Sequence, residues 1–414
     1  MYPRPVQHYD TAHTVSAIPT QSPSNTCRDK RTFLSIMATS KLFSKLFRPV
    51  RVGAMDLQHR IAMAPLTRLR ADENHVLGPL SAEYYMQRAC APGTLLIAEA
   101  TLISPAHAGM PHGPGIWTSE QIAGWKTITD IVHANGCSII CQLVAPGRAA
   151  DAEELKQNDY ELLSSSAVPM PGSGYTEKTG LPTLPKAMTE DQIHQCIADF
   201  AQASQNAITA GFDGVELHGA NGYLIDQFLQ DTCNKRTDGW GGSIENRARF
   251  GIQVAKACAD VIGAMKVGFR VSPWSPFQGM RMMNPVPTFS YLVEALREMD
   301  LGYLHIIESR VNNNVDCELS ESIDFLLEVW GTERPVLLAG GYTPENVWEA
   351  ADSKYGAFDA VFVFGRHFLS NPDLVWRVKY AVGLNSYDRS TFYTSGKTPE
   401  VGYTDYPFAE GFGR

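Results

Sequence analysis

The chain alternates eight short apolar segments with longer segments that have the pattern of amphipathic helices. Segments that are apolar at nearly every position are typical of strands buried on both faces, as in a parallel sheet. Eight strand–helix units within about 330 residues are in the size range of one closed barrel. The sequence therefore predicts the α/β class and a (β/α)8 TIM barrel. The predicted strands are residues 60–66, 94–100, 138–143, 213–217, 266–271, 303–307, 335–339 and 359–364.

Capping residues predict where the helices between these strands begin. Ser119 is in a capping position for a helix over 119–134. Thr189 and Gln192 have the spacing of a capping box, which predicts a helix over 189–210. Further helices are predicted over 243–262, 344–352 and 371–382.

Residues 41–414 are predicted to form one barrel domain, preceded by a disordered extension over residues 1–40. The extension is rich in Pro, Ser, Thr and Gln, lacks sustained periodicity, and has no apolar segment of the kind that a signal peptide needs. Within the barrel domain the longest irregular stretch is 145–186, rich in Pro, Gly and Ser. Loops of that length in compact domains are usually functional.

Charge and cysteine content exclude several classes of protein. Acidic residues number 44 and basic residues 35, so the chain lacks the basic surplus of proteins that bind nucleic acid. No run of 18 or more apolar residues occurs, which predicts that no helix crosses a membrane. The eight cysteines are scattered without a CxxC pair, as expected for reduced thiols in a cytoplasmic protein.

Three polar residues, His218, Asn221 and Tyr223, follow the fourth predicted strand in the segment HGANGY. Active sites of such barrels lie at the C-terminal ends of the strands. His218 and Asn221 can both donate hydrogen bonds to one carbonyl oxygen and stabilise an enolate, and Tyr223 can donate a proton. A lone histidine is more often structural, but three such residues together favour a catalytic site. No metal is predicted, because His218 has no His or Cys partner at a metal-binding spacing.

A phosphate site is predicted at the ends of the last two strands. Gly340 and Gly341 follow the seventh strand, and Gly365 and Arg366 follow the eighth. Barrels commonly bind phosphate at these two loops, where backbone N–H groups are accessible, and an arginine adds a charged partner.

Several separated blocks of the sequence resemble the old yellow enzyme family of FMN-dependent ene-reductases, in its fungal form. The resemblance runs from about residue 42 to residue 407. It rests on HGANGYL and its continuation over 225–250, on GRHFLSNPDL at 365–374, on YDRSTFY at 387–393 and on GYTDYP at 402–407.

The resemblance implies a role for each candidate residue. The cofactors would be FMN and NADPH, and the substrate a small α,β-unsaturated carbonyl compound. His218 and Asn221 would bind the substrate oxygen, Tyr223 would protonate the α-carbon, and Tyr393 or its neighbour Phe392 would lie near the substrate. Hydride would pass from NADPH to the flavin and then to the substrate in a ping-pong order. The implied FMN-binding residues are Pro65, Leu66, Thr67, Gln142, Arg270, Gly340, Gly341, Gly365 and Arg366.

Two positions depart from the pattern of the family. Val144 stands where relatives often have tryptophan, and Met110 lies near where many have a pocket tyrosine. The valine predicts a wider pocket that admits bulkier substrates, and neither change touches the residues implied to bind FMN. The resemblance also leaves the oligomeric state open between monomer and homodimer.

Three other functions remain open. A double-bond isomerase on the same scaffold would return the hydride without net reduction, and the presence of Tyr223 argues against it. A non-catalytic flavin-binding relative is disfavoured because His218, Asn221 and Tyr223 are all retained. A phosphate-binding barrel aldolase or isomerase would need a lysine at the end of a strand or paired carboxylates. Lys266 begins its strand, and Glu216 precedes the mouth of the barrel and is expected to be buried scaffold.

Overall fold

The computed structural model of the chain describes residues 44–171, 183–309, 311–312, 315–316, 321–394 and 399–413. These residues belong to one compact unit, Ser44–Arg414. The predicted extension over residues 1–40 lies outside the described residues.

Within the described residues, eight parallel strands close a barrel, and the predicted fold class is confirmed. Each strand pairs with the next along the chain, and the eighth pairs with the first, where Phe362 lies opposite Ile61. All eight predicted strands are present; the first two are four residues shorter than predicted, and the other six differ from the predicted length by at most one residue. The strands are β1 Ile61–Met63, β2 Leu95–Ile97, β3 Ser138–Val144, β4 Gly214–Gly219, β5 Val267–Val271, β6 Tyr303–Ile307, β7 Val336–Ala339 and β8 Ala360–Phe364.

The core has two layers because successive strand residues point to opposite faces. In β7, Val336 and Leu338 pack outward against the helices, while Leu337 and Ala339 pack into the barrel. Both faces are apolar and buried, which explains why each strand is a nearly continuous apolar run in the sequence.

Eight helices of the described part surround the barrel. They are α1 Pro79–Arg88, α2 Ser119–Ala134, α3 Glu190–Thr209, α4 Ile244–Ile262, α5 Val286–Glu298, α6 Asp324–Trp330, α7 Val347–Glu349 and α8 Leu374–Tyr380. The Thr189–Gln192 capping box of α3 is confirmed.

The predicted starts and ends of three helices need correction. The N-cap of α2 is Thr118 rather than Ser119, because the Thr118 side chain and Gln121 form a capping box. The segment 344–352 contains only the short α7, which continues into a π-helical turn, Ala350–Lys354. Helix α8 is shorter than 371–382, since Ala381 has a left-handed backbone that ends it.

Smaller elements complete the described structure. The long irregular stretch contains the helical segments Gly147–Ala149 and Ala152–Gln157 and the paired strands Leu163–Ser164 and Lys186–Ala187, while residues 172–182 lie outside the described residues. The short helices Leu224–Leu229 and Arg366–Ser370 follow β4 and β8 directly. The other short elements are Lys45–Phe47, the hairpin Val50–Val52 and Met55–Leu57, Thr101–Leu102, Pro105–His107, Ala264–Lys266, Phe277–Gly279, the hairpin Val311–Asn312 and Val315–Asp316, and Arg389–Thr391.

Candidate active site

One cavity of about 1200 Å³, including its open mouth, lies at the C-terminal ends of the strands. Residues from the ends of β1, β3, β4, β5, β6, β7 and β8 and from the C-terminal segment line it. Every candidate residue identified from the sequence is among them. They are Pro65, Leu66, Thr67, Gln142, His218, Asn221, Tyr223, Arg270, Gly340, Gly341, Gly365, Arg366 and Tyr393.

The loop after β4 holds three polar side chains on one side of the cavity. The rings of His218 and Tyr223 meet nearly edge to face, with their centroids 4.8 Å apart. Asn221 has a φ of 56°, in the left-handed region that asparagine tolerates better than most residues. Its backbone N–H donates to Ser272 Oγ over 2.8 Å, and the next backbone N–H, of Gly222, donates to the Asp226 carboxyl group. The loop is thus anchored by its backbone, so its side chains are left to face the cavity.

His218 is a neutral side chain at the wall of the cavity. Burial lowers the pKa of His218 well below its usual value, and the nearby charge of Arg270 lowers it further. Its Nδ1 is buried without a hydrogen-bond partner among the described residues. A neutral imidazole has one donor and one acceptor nitrogen, so His218 can donate to a ligand without adding charge.

The floor of the cavity is polar and fully enclosed by the barrel. Gln142 and Arg270 line it, and the fully buried Glu216 lies beneath them. The Gln142 side chain donates from Nε2 to Glu216 Oε1 over 2.7 Å. Arg270 brings a buried positive charge, and its Nε has no partner among the described residues.

The two glycine-bearing loops form the opposite side of the cavity. Gly340 has a φ of 139°, and an added Cβ would lie 2.8 Å from the Glu308 side chain, so only glycine fits this turn. Gly365 precedes the short helix that starts at Arg366. The Arg366 side chain donates from Nη1 to the Tyr387 hydroxyl over 3.1 Å. This arrangement can bind an anion through backbone N–H groups and one guanidinium.

The C-terminal segment supplies the remaining wall. Arg68 directly follows Thr67, and it donates from Nε to the Phe392 carbonyl over 3.1 Å and from Nη2 to the Gly402 carbonyl over 2.7 Å. These bonds hold the segment beside the end of β1. Phe392 is buried in the cavity wall, and Tyr393 is half exposed at the mouth.

The predicted effect of Val144 on the width of the pocket stays a prediction. Neither Val144 nor Met110 is among the described residues that line the cavity. Val144 is fully buried in a small cluster with Leu102, which lies opposite it on a neighbouring short strand. Tyr223 packs against this cluster, so Val144 contributes to the packing that holds Tyr223 in place.

Some lining residues escaped the sequence analysis. Phe277, in the loop after β5, lies at the mouth of the barrel, so its position relative to the strand was a usable signal. His367 adjoins the predicted Arg366. Tyr342 directly follows the glycine pair after β7, and this position was the signal for a lining residue in the sequence.

Asp226 gives the site a pH-dependent support. Its Oδ2 accepts from the Gly222 N–H over 2.9 Å, and burial raises the pKa of Asp226 to about 7. Because the fold favours the protonated acid, this group contributes stability below its ordinary pKa of 3.8, and that stability is lost as the pH rises through about 7. The variant Asp226→Asn stays neutral, so its melting temperature should rise relative to wild type by several degrees between about pH 5 and pH 8. A difference that stays constant with pH would show that Asp226 is ionised throughout.

Three further features of the described residues concern metal ligands, membrane spans and cysteines. No cluster of His, Cys, Asp or Glu among them could hold a metal ion. No helix among them is long and apolar enough to span a bilayer. All six cysteines in this part of the chain are unpaired, and five of them are buried.

Comparison with known proteins identifies the family. A family model described as the NADH:flavin oxidoreductase / NADH oxidase family matches residues 45–385. The NADP-dependent oxidoreductase lnbE of Aspergillus flavus is 49% identical over 377 residues, covering 89% of this chain and 97% of that protein. The chanoclavine-I aldehyde reductase fgaOx3 of Penicillium roqueforti is 49% identical over 370 residues, covering 89% of this chain and 98% of that protein.

Further similar proteins include a relative that is named as inactive and a solved structure. The probable inactive reductase easA of Epichloe festucae var. lolii is 48% identical over 376 residues, covering 89% of this chain and 96% of that protein. The crystal structure of Old Yellow Enzyme from Pichia sp. AKU4542 superposes with a TM-score of 0.81 at 36% identity, covering 90% of this chain and 94% of that one.

Proposed function

The chain belongs to the NADH:flavin oxidoreductase / NADH oxidase family, and we propose that it reduces the C=C bond of α,β-unsaturated carbonyl compounds with electrons from NADPH. The observation that carries this proposal is the group of His218, Asn221 and Tyr223 on one wall of a cavity whose floor carries an arginine. Two hydrogen-bond donors and a phenol beside a flavin site are the groups that this reaction requires.

FMN is the cofactor of the family, and the groups around the cavity fit it. FMN carries an anionic phosphate and a polar ring edge. Arg270 offers a buried cation whose Nε has no partner among the described residues, and Gln142 offers a side-chain amide. The turn at Gly340 and the charge of Arg366 form an anion site on the other side. We propose that these residues, with Thr67, hold the cofactor.

Bound FMN supplies the hydride, and the residues of the chain control the charge and the proton. His218 is neutral, so it and Asn221 can hold the substrate carbonyl as donors. Negative charge develops on that oxygen as the β-carbon is reduced, and donors fixed in advance stabilise it without reorganisation. Tyr223 then protonates the α-carbon. The ring contact between Tyr223 and His218 keeps the acid beside the carbonyl site.

The names of two relatives support a nicotinamide donor and an aldehyde substrate, and we propose a ping-pong order. One relative is named NADP-dependent, which supports NADPH as the electron donor. Another is named an aldehyde reductase, which supports an aldehyde among the substrates. A single cavity serves both compounds in this proposal, so NADPH must leave before the enone binds.

The stoichiometry of the reaction tests this function against isomerisation. We expect one NADPH to be consumed for each molecule of saturated carbonyl product. The absorbance of reduced nicotinamide measures the NADPH consumed, and chromatography measures the product. Product without NADPH consumption would instead establish the isomerase. NADPH oxidation in the absence of oxygen, without any saturated product, would contradict both.

A further inference from the structure

Glu216 is a buried carboxylate that the proposed reaction does not use. It lies inside the barrel with no exposed surface. Its Oε1 accepts from Gln142 Nε2 over 2.7 Å, and its Oε2 accepts from the Tyr303 hydroxyl over 3.1 Å. His305 Nδ1 lies 2.8 Å from Oε2 as a third partner. Strands β3, β4 and β6 therefore meet at this one side chain.

Glu216 is ionised in this environment. Burial alone would raise the pKa of Glu216, but the hydrogen bond from His305, the charge of Arg270 and the hydrogen bond from Gln142 outweigh it and lower that pKa below the usual value. An ionised carboxylate can only accept, so His305 must donate from Nδ1. Burial lowers the pKa of His305, so this histidine is neutral and adds no positive charge.

The first consequence concerns the orientation of Gln142. Its amide nitrogen is used by Glu216, so its carbonyl oxygen is the end that remains for the cavity. A carbonyl there accepts hydrogen bonds only, and it complements a ring N–H such as the one on the pyrimidine edge of FMN. With the amide turned over, two N–H groups would face that donor.

The second consequence concerns charge. Arg270 and Glu216 are the ionised groups of this floor, since His218 and His305 are neutral. The carboxylate offsets the charge of Arg270 when the cavity holds oxidised FMN. Removing the carboxylate leaves a surplus positive charge, which favours the reduced and more negative state of the cofactor.

We propose that Glu216 is a positioning residue for the cofactor, which fixes the Gln142 amide and balances the charge of Arg270. This inference rests on the proposed function only in that FMN occupies the cavity. It makes no use of the substrate, so it can be tested without an enone.

The test measures FMN binding and the midpoint potential of the variant Glu216→Gln. We expect the dissociation constant of oxidised FMN to rise about tenfold, the effect of losing one charge-assisted hydrogen bond. We expect the affinity for reduced over oxidised FMN to rise about tenfold, equivalent to about 30 mV for a two-electron couple. Wild-type values for both quantities would overturn the proposal.

A double-mutant cycle tests whether Glu216 acts through Gln142. In the background Gln142→Leu, the change Glu216→Gln should no longer weaken the binding of oxidised FMN, while the shift in potential should persist. An equal loss of affinity in both backgrounds would overturn the positioning role. The control is Asp373→Asn, which alters another fully buried carboxylate that pairs with Arg377 on α8, does not line the cavity and should leave FMN binding unchanged.

A second variant keeps the test decisive if Glu216→Gln does not fold. Tyr303→Phe removes one donor from the carboxylate and so raises the pKa of Glu216. As the pH is lowered, Glu216 is then protonated earlier, so the affinity for FMN should begin to fall at a higher pH than in the wild type. An unchanged pH profile of FMN affinity would overturn the proposal. A wild-type protein that binds no FMN would instead refute the proposed function, so the two failures are distinguishable.

Discussion

Replacing Tyr223 with phenylalanine is expected to slow the reaction of the reduced enzyme with an enone at least about a hundredfold, the usual contribution of a positioned general acid. Reduction by NADPH should keep its wild-type rate, because no proton from Tyr223 is needed in that half-reaction. The phenylalanine ring retains the packing against His218 and against the cluster around Val144, so the cavity should keep its shape.

Anaerobic stopped-flow absorbance measures the two half-reactions of Tyr223→Phe separately. The NADPH half-reaction serves as the internal control, since it uses the same cofactor and the same cavity. An equal loss of rate in both halves would show that Tyr223 shapes the site and is not the proton donor. Unchanged rates in both would assign the proton to solvent or to another group.

Replacing Arg270 with methionine is expected to abolish FMN binding and to destabilise the barrel. The substitution keeps much of the apolar stem but leaves Glu216 as a buried charge without its cationic neighbour. Leaving a buried carboxylate without a compensating charge is strongly destabilising, so we expect a loss of about 3 kcal/mol in the free energy of unfolding. The loss should be measured on FMN-free proteins, because bound cofactor would itself stabilise the wild type.

The double variant Arg270→Met/Glu216→Gln is the control for this explanation. It removes the unpaired charge, so it should recover most of the lost stability while FMN binding stays abolished. A double variant that is no more stable than Arg270→Met would show that packing, and not charge, causes the loss.

The barrel could be predicted from the sequence because its strands are buried on both faces. A strand such as β7 is apolar at four consecutive positions, which makes it visible without any partner. The N-cap of α2 was misplaced by one residue because Thr118 and Ser119 are both good caps. Gln121, three residues after Thr118, decides between them through the capping box.

The candidate residues could be located because the fold fixes where strand ends meet. Gln142, His218 and Arg270 end different strands, and closure of the barrel brings them together. The environment of Val144 was not predictable, because Leu102 covers it from a short strand far along the chain. The partners of Glu216 were hidden for the same reason, since Gln142 and His305 come from other strands.

The most direct test of the proposed function is the visible spectrum of the purified protein under anaerobic conditions. We expect flavin bands that bleach on addition of NADPH and return when 2-cyclohexenone is added. A colourless protein that takes up no FMN, or bands that stay bleached in the presence of the enone and of other conjugated aldehydes and ketones, would contradict it.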